Sequence, residues 1–500
     1  MRWVLLLFLL GRVEHENHTM ILHSSLCRAA CVGALFLGTA PLSVAHAATF
    51  TVTTLADSGS GSLREAITRA NRASDADTIL FAAQVHGTLG LKSPLPDLSS
   101  SVSIVGPGRE HLNVRRTGQV RYRILAVTPA GTILLSGLTL SNGFSQAVGK
   151  HSHEKGDGGA ISNQGILQLN DCAFTGNQSE GNGGAIFNDG PQLTLTNCLL
   201  TDNKCLQNQP DGGHVPGGGG IHNGRDGAAL LLTSCVFSRN ESLSEGGAIH
   251  NAASATVRIL RSSLTQNTAR SGGALAGLID IAGEYAGSFV VTESLLANNK
   301  AESGGAISMA TYSGRATLTN CTVSGNTATE TAGAIRAGWP GVELSNCTIT
   351  GNTAPKNAGI VASVDSDISQ CIIAGNWLPS HAPGTDIQLW KPEEMKQPDP
   401  SHGWNLIGGG DATTLAYFQK TGDKCNVSSA ALKLGPLSDN GGPTKTHALL
   451  SGSLAIGQGF SDPNIPCDQR GVLRYPLRDG QADIGAFQSV PASSAKTKLY

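Results

Sequence analysis

Acidic residues beside paired glycines are the first positions in this chain whose types and spacing could support chemistry. Asp157 and Glu245 lie directly before Gly-Gly, and Glu302 lies one residue further away. Carboxylates clustered with Arg or Lys can bind Ca²⁺ or act as acid and base on polysaccharides. The intervening copies of the same phrase place other residues at this position: Asn182, Gly217 and Ser271. The acids are therefore not neighbours, and we expect turn residues there.

Other polar groups give weaker signals. The stretch "HSHEKGD" from His151 has two His and a Glu but no distant partner, so a solvated loop is expected. Arg261, or Asp365 with Asp367, could line a carbohydrate groove, although their spacing does not indicate such a role. The sequence has no nucleophile elbow, phosphate loop or zinc motif. It therefore predicts no catalytic, cofactor-binding or metal-binding residue and no cofactor.

A repeat positions these residues. The phrase Gly-Gly-Ala-Ile at 158–161 returns with small changes in copies that begin at 183, 218, 246, 272, 304, 332 and 357. A second phrase, an apolar pair closed by Asn, returns at intervals of 26, 37, 27, 32, 27, 26 and 24 residues. Its closing residues are Asn177, Asn203, Asn240, Asn267, Asn299, Asn326, Asn352 and Asn376. A period near 26 indicates a repeat architecture in which each copy forms one rung.

The rungs are built from strands. Each is too short for two helices, and alternating runs such as "QLTLTNCLL" from Gln192 are typical of β-structure. Gly, Asn and Asp between the runs turn the chain. Strands stacked at about 4.8 Å give an all-β fold, a right-handed parallel β-helix. We expect Gly-Gly to form a turn, Ala-Ile to fill the interior and the Asn amides to form a ladder.

Cysteines follow the same period. Six lie five residues before the rung's Asn: Cys172, Cys198, Cys235, Cys321, Cys347 and Cys371. A ladder spreads thiols along an axis, whereas a metal needs converging ligands, so an inward stack of small apolar thiols is expected. Parallel Cβ vectors disfavour disulfides between neighbouring rungs. Cys425 and Cys467 lie outside the ladder and are candidates for one disulfide.

The composition agrees with a solenoid. Only 14% of the residues are charged, against about 25% in an average domain. The 63 glycines show no Gly-X-Y period, which excludes collagen. The net charge of −2 gives no support for binding to nucleic acid or to an anionic membrane surface.

The N-terminal region contains two signals. An apolar stretch after Met20, the expected true start, ends in Ala45-His46-Ala47, a small-x-small cleavage site. Cleavage before Ala48 would release an exported chain without a membrane span.

Further on, Ser62 and Glu65 have the spacing of a capping box, and apolar residues follow at helical spacing: Leu63, Ala66, Ile67 and Ala70. We predict a short helix that covers the open first rung.

Two long copies and one later stretch predict projecting loops. These are "KCLQNQPDGGHVP" from Lys204, "GLIDIAGEYAGS" from Gly277 and the Trp-bearing stretch from Trp377 to Trp404. A rung cannot widen without losing its stack, so the extra residues must leave it. We expect any ligand to contact exposed Tyr, Trp or His side chains of these loops.

Three stretches resemble known families. "TFTVTTLADSGSGSLREAITRANRASDADTILFA" resembles the CSLREA-type N-terminal domain, although Gly61 stands where that motif often has Cys. The repeats resemble those of polymorphic outer membrane proteins and of the pectin-lyase-like right-handed β-helix superfamily. "LGPLSDNGGPTKTHALLSGSLAIGQG" and "CDQRGVLRYPLRDGQADIGAFQ" resemble the choice-of-anchor Q domain, with Gly457 and Gln488 where acidic residues are common. These resemblances imply sequence relationship and export rather than a particular reaction.

The predicted organisation follows from these signals. Residues 1–47 are a leader, 48–92 an N-terminal strand and capping helix, and 93–430 the β-helix repeats. Residues 431–490 are the choice-of-anchor-Q-like segment, and 491–500 a disordered tail. The favoured function is a monomeric, non-catalytic protein that displays loops for adhesion or for binding surface polysaccharides or host glycans. We expect it to be secreted or extracellular, with the cell surface and the periplasm as alternatives. The alternative is a polysaccharide lyase or glycoside hydrolase, which a cluster of carboxylates with one Arg on one face would favour.

Overall fold

The computed structural model describes residues 47–72, 75–147, 156–208, 215–225, 227–252, 254–278, 287–310, 314–391, 401–474 and 481–489. The described chain coils into a right-handed parallel β-helix with three long sheets. From Val102 to Trp390 each rung contributes one strand to sheet 1, then one to sheet 2 and one to sheet 3. The predicted fold class is confirmed.

Sheets 1 and 2 have twelve strands each and sheet 3 has ten. Sheet 1 comprises Thr49–Val52, Asp77–Phe81, Val102–Val105, Thr132–Ser136, Ile166–Asn170, Gln192–Thr196, Ala229–Thr233, Thr256–Leu260, Ser288–Thr292, Ala316–Thr319, Val342–Ser345 and Asp367–Ser369. Sheet 2 comprises Gly87–Leu91, Leu112–Arg116, Thr139–Ser141, Ala173–Thr175, Leu199–Thr201, Val236–Ser238, Ser263–Thr265, Leu295–Ala297, Thr322–Ser324, Thr348–Thr350, Ile372–Ile373 and Leu406–Ile407. Sheet 3 comprises Leu125–Val127, Ile161–Asn163, Ile186–Asn188, Ile221–Asn223, Ile249–Asn251, Leu275–Leu278, Ile307–Ala310, Ile335–Ala337, Ile360–Ser363 and Ile387–Trp390.

Shorter elements complete the described structure. Two short parallel ladders lie between sheets 2 and 3, one of Phe144–Ser145, Gln178–Ser179, Lys204–Cys205 and Glu241–Ser242, the other of Lys300–Ser303 and Thr327–Thr331. Two antiparallel pairs follow the solenoid: Leu434–Ser438 with Thr446–Leu449, and Gly459–Phe460 with Gln481–Ala482. The helices are α1 (Leu63–Ala70), α2 (Ala412–Tyr417) and α3 (Ser429–Leu432).

Like residues stack on like residues through the core. Leu167 and Leu169 of one rung pair in register with Leu193 and Leu195 of the next, and all four are fully buried. The residues between them point outwards, which explains the alternation in the sequence. A single apolar cluster runs through the interior from Val52 to Phe418. Each rung therefore buries its apolar face only because its neighbours are present.

The turns explain the glycines. Gly246, the first of its pair, has φ +60°, a conformation that favours glycine. Yet Ala332 and Asn357 adopt φ +58° and +53° at the equivalent position, so a side chain is tolerated there. Backbone crowding acts on both glycines, because a Cβ would lie 2.2 Å from a carbonyl oxygen at Gly246 (Ile249) and at Gly247 (Gly273). The predicted turn is correct, and both φ and close backbone approach favour glycine in it.

The asparagine ladder is confirmed in full. Each Nδ2 donates to the Oδ1 of the next Asn at 2.9–3.0 Å through eight residues: Asn177, Asn203, Asn240, Asn267, Asn299, Asn326, Asn352 and Asn376. The second hydrogen of each amide goes to a backbone carbonyl, as from Asn240 to Leu200 at 2.9 Å. The ladder ends on the Asp386 carboxylate at 2.8 Å. Burial raises the pKa of Asp386 to about 6.

The cysteine ladder is also confirmed as an inward stack. All six thiols are buried and free, and each lies within hydrogen-bond distance of a backbone carbonyl, as Cys198 does with Leu169. Ser262 and Ser294 take the same place in the two middle rungs. The predicted disulfide between Cys425 and Cys467 is wrong, since both thiols are free. Cys425 packs against the solenoid core, whereas Cys467 lies in the C-terminal segment, with its carbonyl bonded to Asn320.

The N-terminal helix is formed as predicted. Ser62 caps α1 by accepting from the Glu65 amide at 3.2 Å. The Glu65 carboxylate reaches back to the Gly61 amide at 2.6 Å rather than to that of Ser62. The apolar face of α1 is buried against the first two strands of sheet 1. Thus α1 covers apolar surface at the first rungs.

The C-terminal segment, described at 434–474 and 481–489, packs on the outer face of sheet 2. Thr322 donates to Gln469 at 2.6 Å, the Ala486 amide donates to Thr348 at 3.0 Å, and Ser324 contacts His447 at 2.8 Å. These contacts join positions more than 120 residues apart, and they bury hydroxyl groups that would otherwise face solvent. The predicted domain boundaries stay predictions.

Candidate functional site

An exposed corner near the C-terminal end of the solenoid carries aromatic and acidic side chains. We call Trp339, Asp365 and Trp390 the Trp corner. Trp339 and Asp365 each follow a sheet 3 strand by two residues, and Trp390 ends the next one. These three strands are direct neighbours in sheet 3. The three residues therefore come from successive rungs although they are far apart in the sequence.

Trp339 is unusual in its exposure. It is 42% exposed, and its indole N–H donates to Oδ2 of Asp365. The other exposed large apolar residues in the described part of the chain are aliphatic: Leu80, Val105, Val120, Val236, Leu243 and Leu450. A flat ring fixed by a hydrogen bond offers contact area at little further cost in conformational entropy. This geometry suits a ligand with both apolar and hydroxyl-bearing surfaces.

A row of polar residues on sheet 1 adjoins this corner. Glu343 and Asp367 stand in register on neighbouring strands, and Thr317 on the preceding strand pairs with Glu343. The Thr317 hydroxyl donates to Glu343 Oε2 at 3.2 Å. Parallel strands lie about 4.8 Å apart, so the two carboxylates project side by side from the same outer face.

Arg315 joins the row to the corner. Its Nη2 donates to Asp367 Oδ2 at 2.5 Å and to the Asp365 carbonyl at 3.1 Å. His402 Nε2 lies 3.4 Å from the other oxygen of Asp367. We call Glu343, Asp367, Arg315 and His402 the charged row. The structure thus places Asp365 and Asp367 in the same candidate site, a role that their spacing in the sequence did not indicate.

The acids beside the glycine pairs are kept apart, as predicted. Gly217 pairs with Glu245 and Glu245 with Ser271, so each acid is separated from the next by other residues of the ladder. The Asp157 carboxylate accepts from the Asn182 amide at 2.6 Å, a contact between equivalent turns of neighbouring rungs. Arg261 forms an ion pair with Glu293 at 2.6 Å, away from the charged row. Among the described residues no three metal-ligating side chains converge; residues 148–155 lie outside them.

A buried histidine pair was missed in the sequence. His222 and His250 are in register on sheet 3, with their Nδ1 atoms 3.1 Å apart. Burial and the neighbouring His222 hold the pKa of His250 well below its ordinary value of 6.5. The signal was available, because "GGGIHN" and "GGAIHN" place His at the same position of neighbouring rungs.

A cleft opens where the C-terminal segment leaves sheet 2. Its volume is about 510 Å³. Val236, Ser263 and Leu295 of sheet 2 line one wall, and Leu437 and Lys445 line the other. Its polar groups belong to the same strands and loops that hold the C-terminal segment in place, so it forms the rim of an internal interface.

The predicted loops fall partly outside the described residues, which leave out 209–214, 279–286 and 392–400. The prediction for Trp377 to Trp404 is wrong in part, because Ile387–Trp390 is a strand of sheet 3. Trp404 also differs from the expected exposed side chain: its ring packs against Phe460 with centroids 4.8 Å apart. The apolar residues Ile387 and Leu389 draw this stretch into the solenoid, where both are buried.

Gly457 and Gln488, singled out in the sequence, have structural roles. The Gly457 amide donates to the Asp483 carboxylate at 2.8 Å, and Gln488 accepts from the Asp483 amide at 3.1 Å. Asp483 is fully buried. These residues therefore hold the C-terminal segment together.

Comparisons with known proteins find similarity in the repeats. The repeat of the Chlamydia polymorphic membrane proteins matches residues 171–189 and 234–252. Each match begins one residue before a cysteine of the ladder and ends one residue after a strand of sheet 3. No curated protein matches the chain. A solved structure, described as a new PL6 alginate lyase in complex with a trisaccharide, is similar at 12% identity with a TM-score of 0.32, over 81% of this chain and 92% of that one.

In the described residues, no helix has the length and apolarity needed to cross a membrane. The chain is a parallel β-helix whose repeats are similar to those of the polymorphic membrane proteins.

Proposed function

We propose that this protein is an exported β-helix displayed at the cell surface, and that it binds a glycan at the Trp corner without chemically altering it. The observation that carries the proposal is the exposed Trp339 ring fixed by Asp365. Similarity of the repeats to those of polymorphic membrane proteins supports display at the surface. The resemblances to the CSLREA and choice-of-anchor Q domains support export.

The chemistry of the corner suits a sugar. An aromatic face packs against the C–H groups of a sugar ring, while nearby carboxylates and a guanidinium form hydrogen bonds with its hydroxyls. Glu343, Asp367 and Arg315 supply such groups beside Trp339. Trp390 is half-buried on the strand two positions further along sheet 3 and supplies a second aromatic ring. The ligand would therefore contact side chains from several rungs.

A test follows from Trp339. We expect Trp339→Ala to weaken binding to glycans retained by the native protein by about 2 kcal/mol, roughly thirtyfold. Binding would be measured first on a glycan array and then by calorimetry with the best oligosaccharide. Leu80→Ala, which removes an exposed apolar side chain near the opposite end of sheet 1, is the matched control. Equal affinities of the native protein and Trp339→Ala would refute the proposal.

Hydrolysis is a second candidate because two carboxylates stand in register. Retaining glycosidases place their carboxyl groups about 5–5.5 Å apart, close to the spacing of neighbouring strands. Glu343 and Asp367 stand in register on two such strands, with Arg315 bonded to Asp367. Binding alone is favoured, since Asp367 is ion-paired and its side chain is 42% exposed, whereas a general acid needs a protonated carboxyl in apolar surroundings. Release of reducing ends from a bound glycan by the native protein, but not by Glu343→Gln, would favour hydrolysis.

A further inference from the structure

The histidine pair on sheet 3 has no part in the proposed glycan site. His222 and His250 continue a column of aromatic rings that begins at Phe187. The Phe187 and His222 rings are stacked with centroids 5.4 Å apart, and the two imidazoles meet edge to face at 4.9 Å. The column therefore joins three successive rungs on the outer face of the sheet.

The pair is buried, and one of its atoms has no partner. His250 is fully buried and His222 is 5% exposed. The Nδ1 of His250 contacts that of His222 at 3.1 Å, but its Nε2 has no hydrogen-bond partner. An imidazole that cannot pair all its polar atoms is poorly suited to carry a charge in this position.

Charged groups around the pair come from neighbouring rungs. The His250 ring packs on the backbone of Gly217, where a Cβ would lie 2.6 Å from Nδ1. Glu245 pairs with Gly217, is buried, and bonds to Arg270 at 3.2 Å through one oxygen, while its other oxygen has no partner. Arg336, further along sheet 3, acts electrostatically on Glu245. On the next two strands of sheet 3, the residues in register with His250 are uncharged: Ala276 and Ser308.

We propose that the His222–His250 contact is a pH-sensitive link that joins two rungs at neutral pH and releases them in acid. When the pair is neutral, one Nδ1–H donates to the lone pair of the other Nδ1. Protonation of one ring places a positive charge in a buried site. Protonation of the second ring makes both Nδ1 atoms donors and sets two positive charges next to each other, so the hydrogen bond breaks. The rungs that carry Gly217–Asn223 and Gly246–Asn251 would then separate locally.

The direction of the pH effect follows from the pKa values. Burial and His222 lower the pKa of His250 well below 6.5. The opened form therefore takes up the proton first as the pH falls, and closure is lost between pH 6.5 and the lower pKa of the closed form. Burial raises the pKa of Glu245, so this carboxyl favours the closed form as the pH falls. Glu245→Gln removes this opposing effect.

Hydrogen exchange at the sheet 3 amides would test the proposal. In the native protein we expect the opening constants of Ile221–Asn223 and Ile249–Asn251, corrected for intrinsic exchange, to rise by up to tenfold per pH unit below 6.5. In His250→Phe, which continues the aromatic column of Phe187, they should stay constant. His86→Gln, an exposed residue directly before the first strand of sheet 2, should behave like the native protein.

The outcomes are distinct. The same pH dependence in the native protein and in His250→Phe would overturn the proposal. If His250→Phe does not fold, an NMR titration of the native imidazoles decides the matter. A His250 ring that stays neutral to well below pH 6.5, and whose protonation coincides with opening, supports the link. One that titrates near 6.5 without local opening contradicts it. His447 also has a pKa lowered by burial, but it belongs to the C-terminal segment and does not report on these amides.

Discussion

The asparagine ladder and the Trp corner are built on the same rungs but differ in how they use them. In the ladder, asparagine recurs in eight successive rungs and is fully or almost fully buried. Both amide hydrogens of Asn240, for example, form hydrogen bonds. In the corner Trp339, Asp365 and Trp390 differ from rung to rung, and Trp339 faces solvent. A buried amide needs hydrogen-bond partners, and the same residue in the next rung supplies one of them, whereas an exposed side chain can bond to water. Repetition therefore marks the fold, and departures from it mark the candidate site.

The largest effect should come from breaking the ladder. Asn267 accepts from Asn240 and donates to Asn299, at 3.0 Å in both cases. Asn267→Ala leaves buried groups on both neighbours unpaired, so we expect a loss of about 2–4 kcal/mol in the free energy of unfolding. Urea denaturation followed by circular dichroism would measure it. The control is Gln168→Ala on the exposed face of sheet 1, where the change should stay within about 0.5 kcal/mol. A similarly small change for Asn267→Ala would contradict this account of the ladder.

A smaller effect is expected at the support of the Trp ring. Asp365→Asn keeps an oxygen that can accept from the indole of Trp339, whereas Asp365→Ala removes it. We expect Asp365→Ala to weaken glycan binding by about 1 kcal/mol, roughly fivefold, and Asp365→Asn to change it less. Calorimetry with the same oligosaccharide would compare the two. If both variants bind as the native protein does, the hydrogen bond does not matter for the site.

The smallest effect should be in the cysteine ladder. Ser262 and Ser294 already stand in this column, and each donates to a backbone carbonyl of its own turn. Cys235→Ser should therefore cost less than about 1 kcal/mol of unfolding free energy. The same urea experiment measures it, with Asn267→Ala as the contrasting variant. A loss as large as that of Asn267→Ala would mean that the thiol column, rather than the amide ladder, determines the register.

The fold was predictable because its physics repeats. Gly247, Ala248 and Asn267 recur in nearly every copy, since each rung must make the same turn and the same core contacts. The helix α1 was also predictable, because its cap and its apolar face lie within nine residues from Ser62 to Ala70. Local spacing was enough to find both.

The candidate site could not be read in this way. Trp339 meets Asp365 across 26 residues, and Arg315 meets Asp367 across 52, so the pairs become visible only once the rungs are stacked. Asp365 and Asp367 were named from the sequence, but their partners were not. The strand Ile387–Trp390 was missed because a stretch that joins a sheet at its end has no following copy to reveal the period.

The central claim is that a glycan rests on the Trp corner. Hydroxyl-radical footprinting with mass spectrometry, with and without a glycan identified on the array, tests it on the native protein. The account predicts that oxidation of Trp339 falls several-fold when the glycan is bound, that Trp390 is protected less, and that Trp404, packed on Phe460, is unchanged. Protection of Leu437 or Lys445 at the cleft with unchanged oxidation of Trp339 would contradict it.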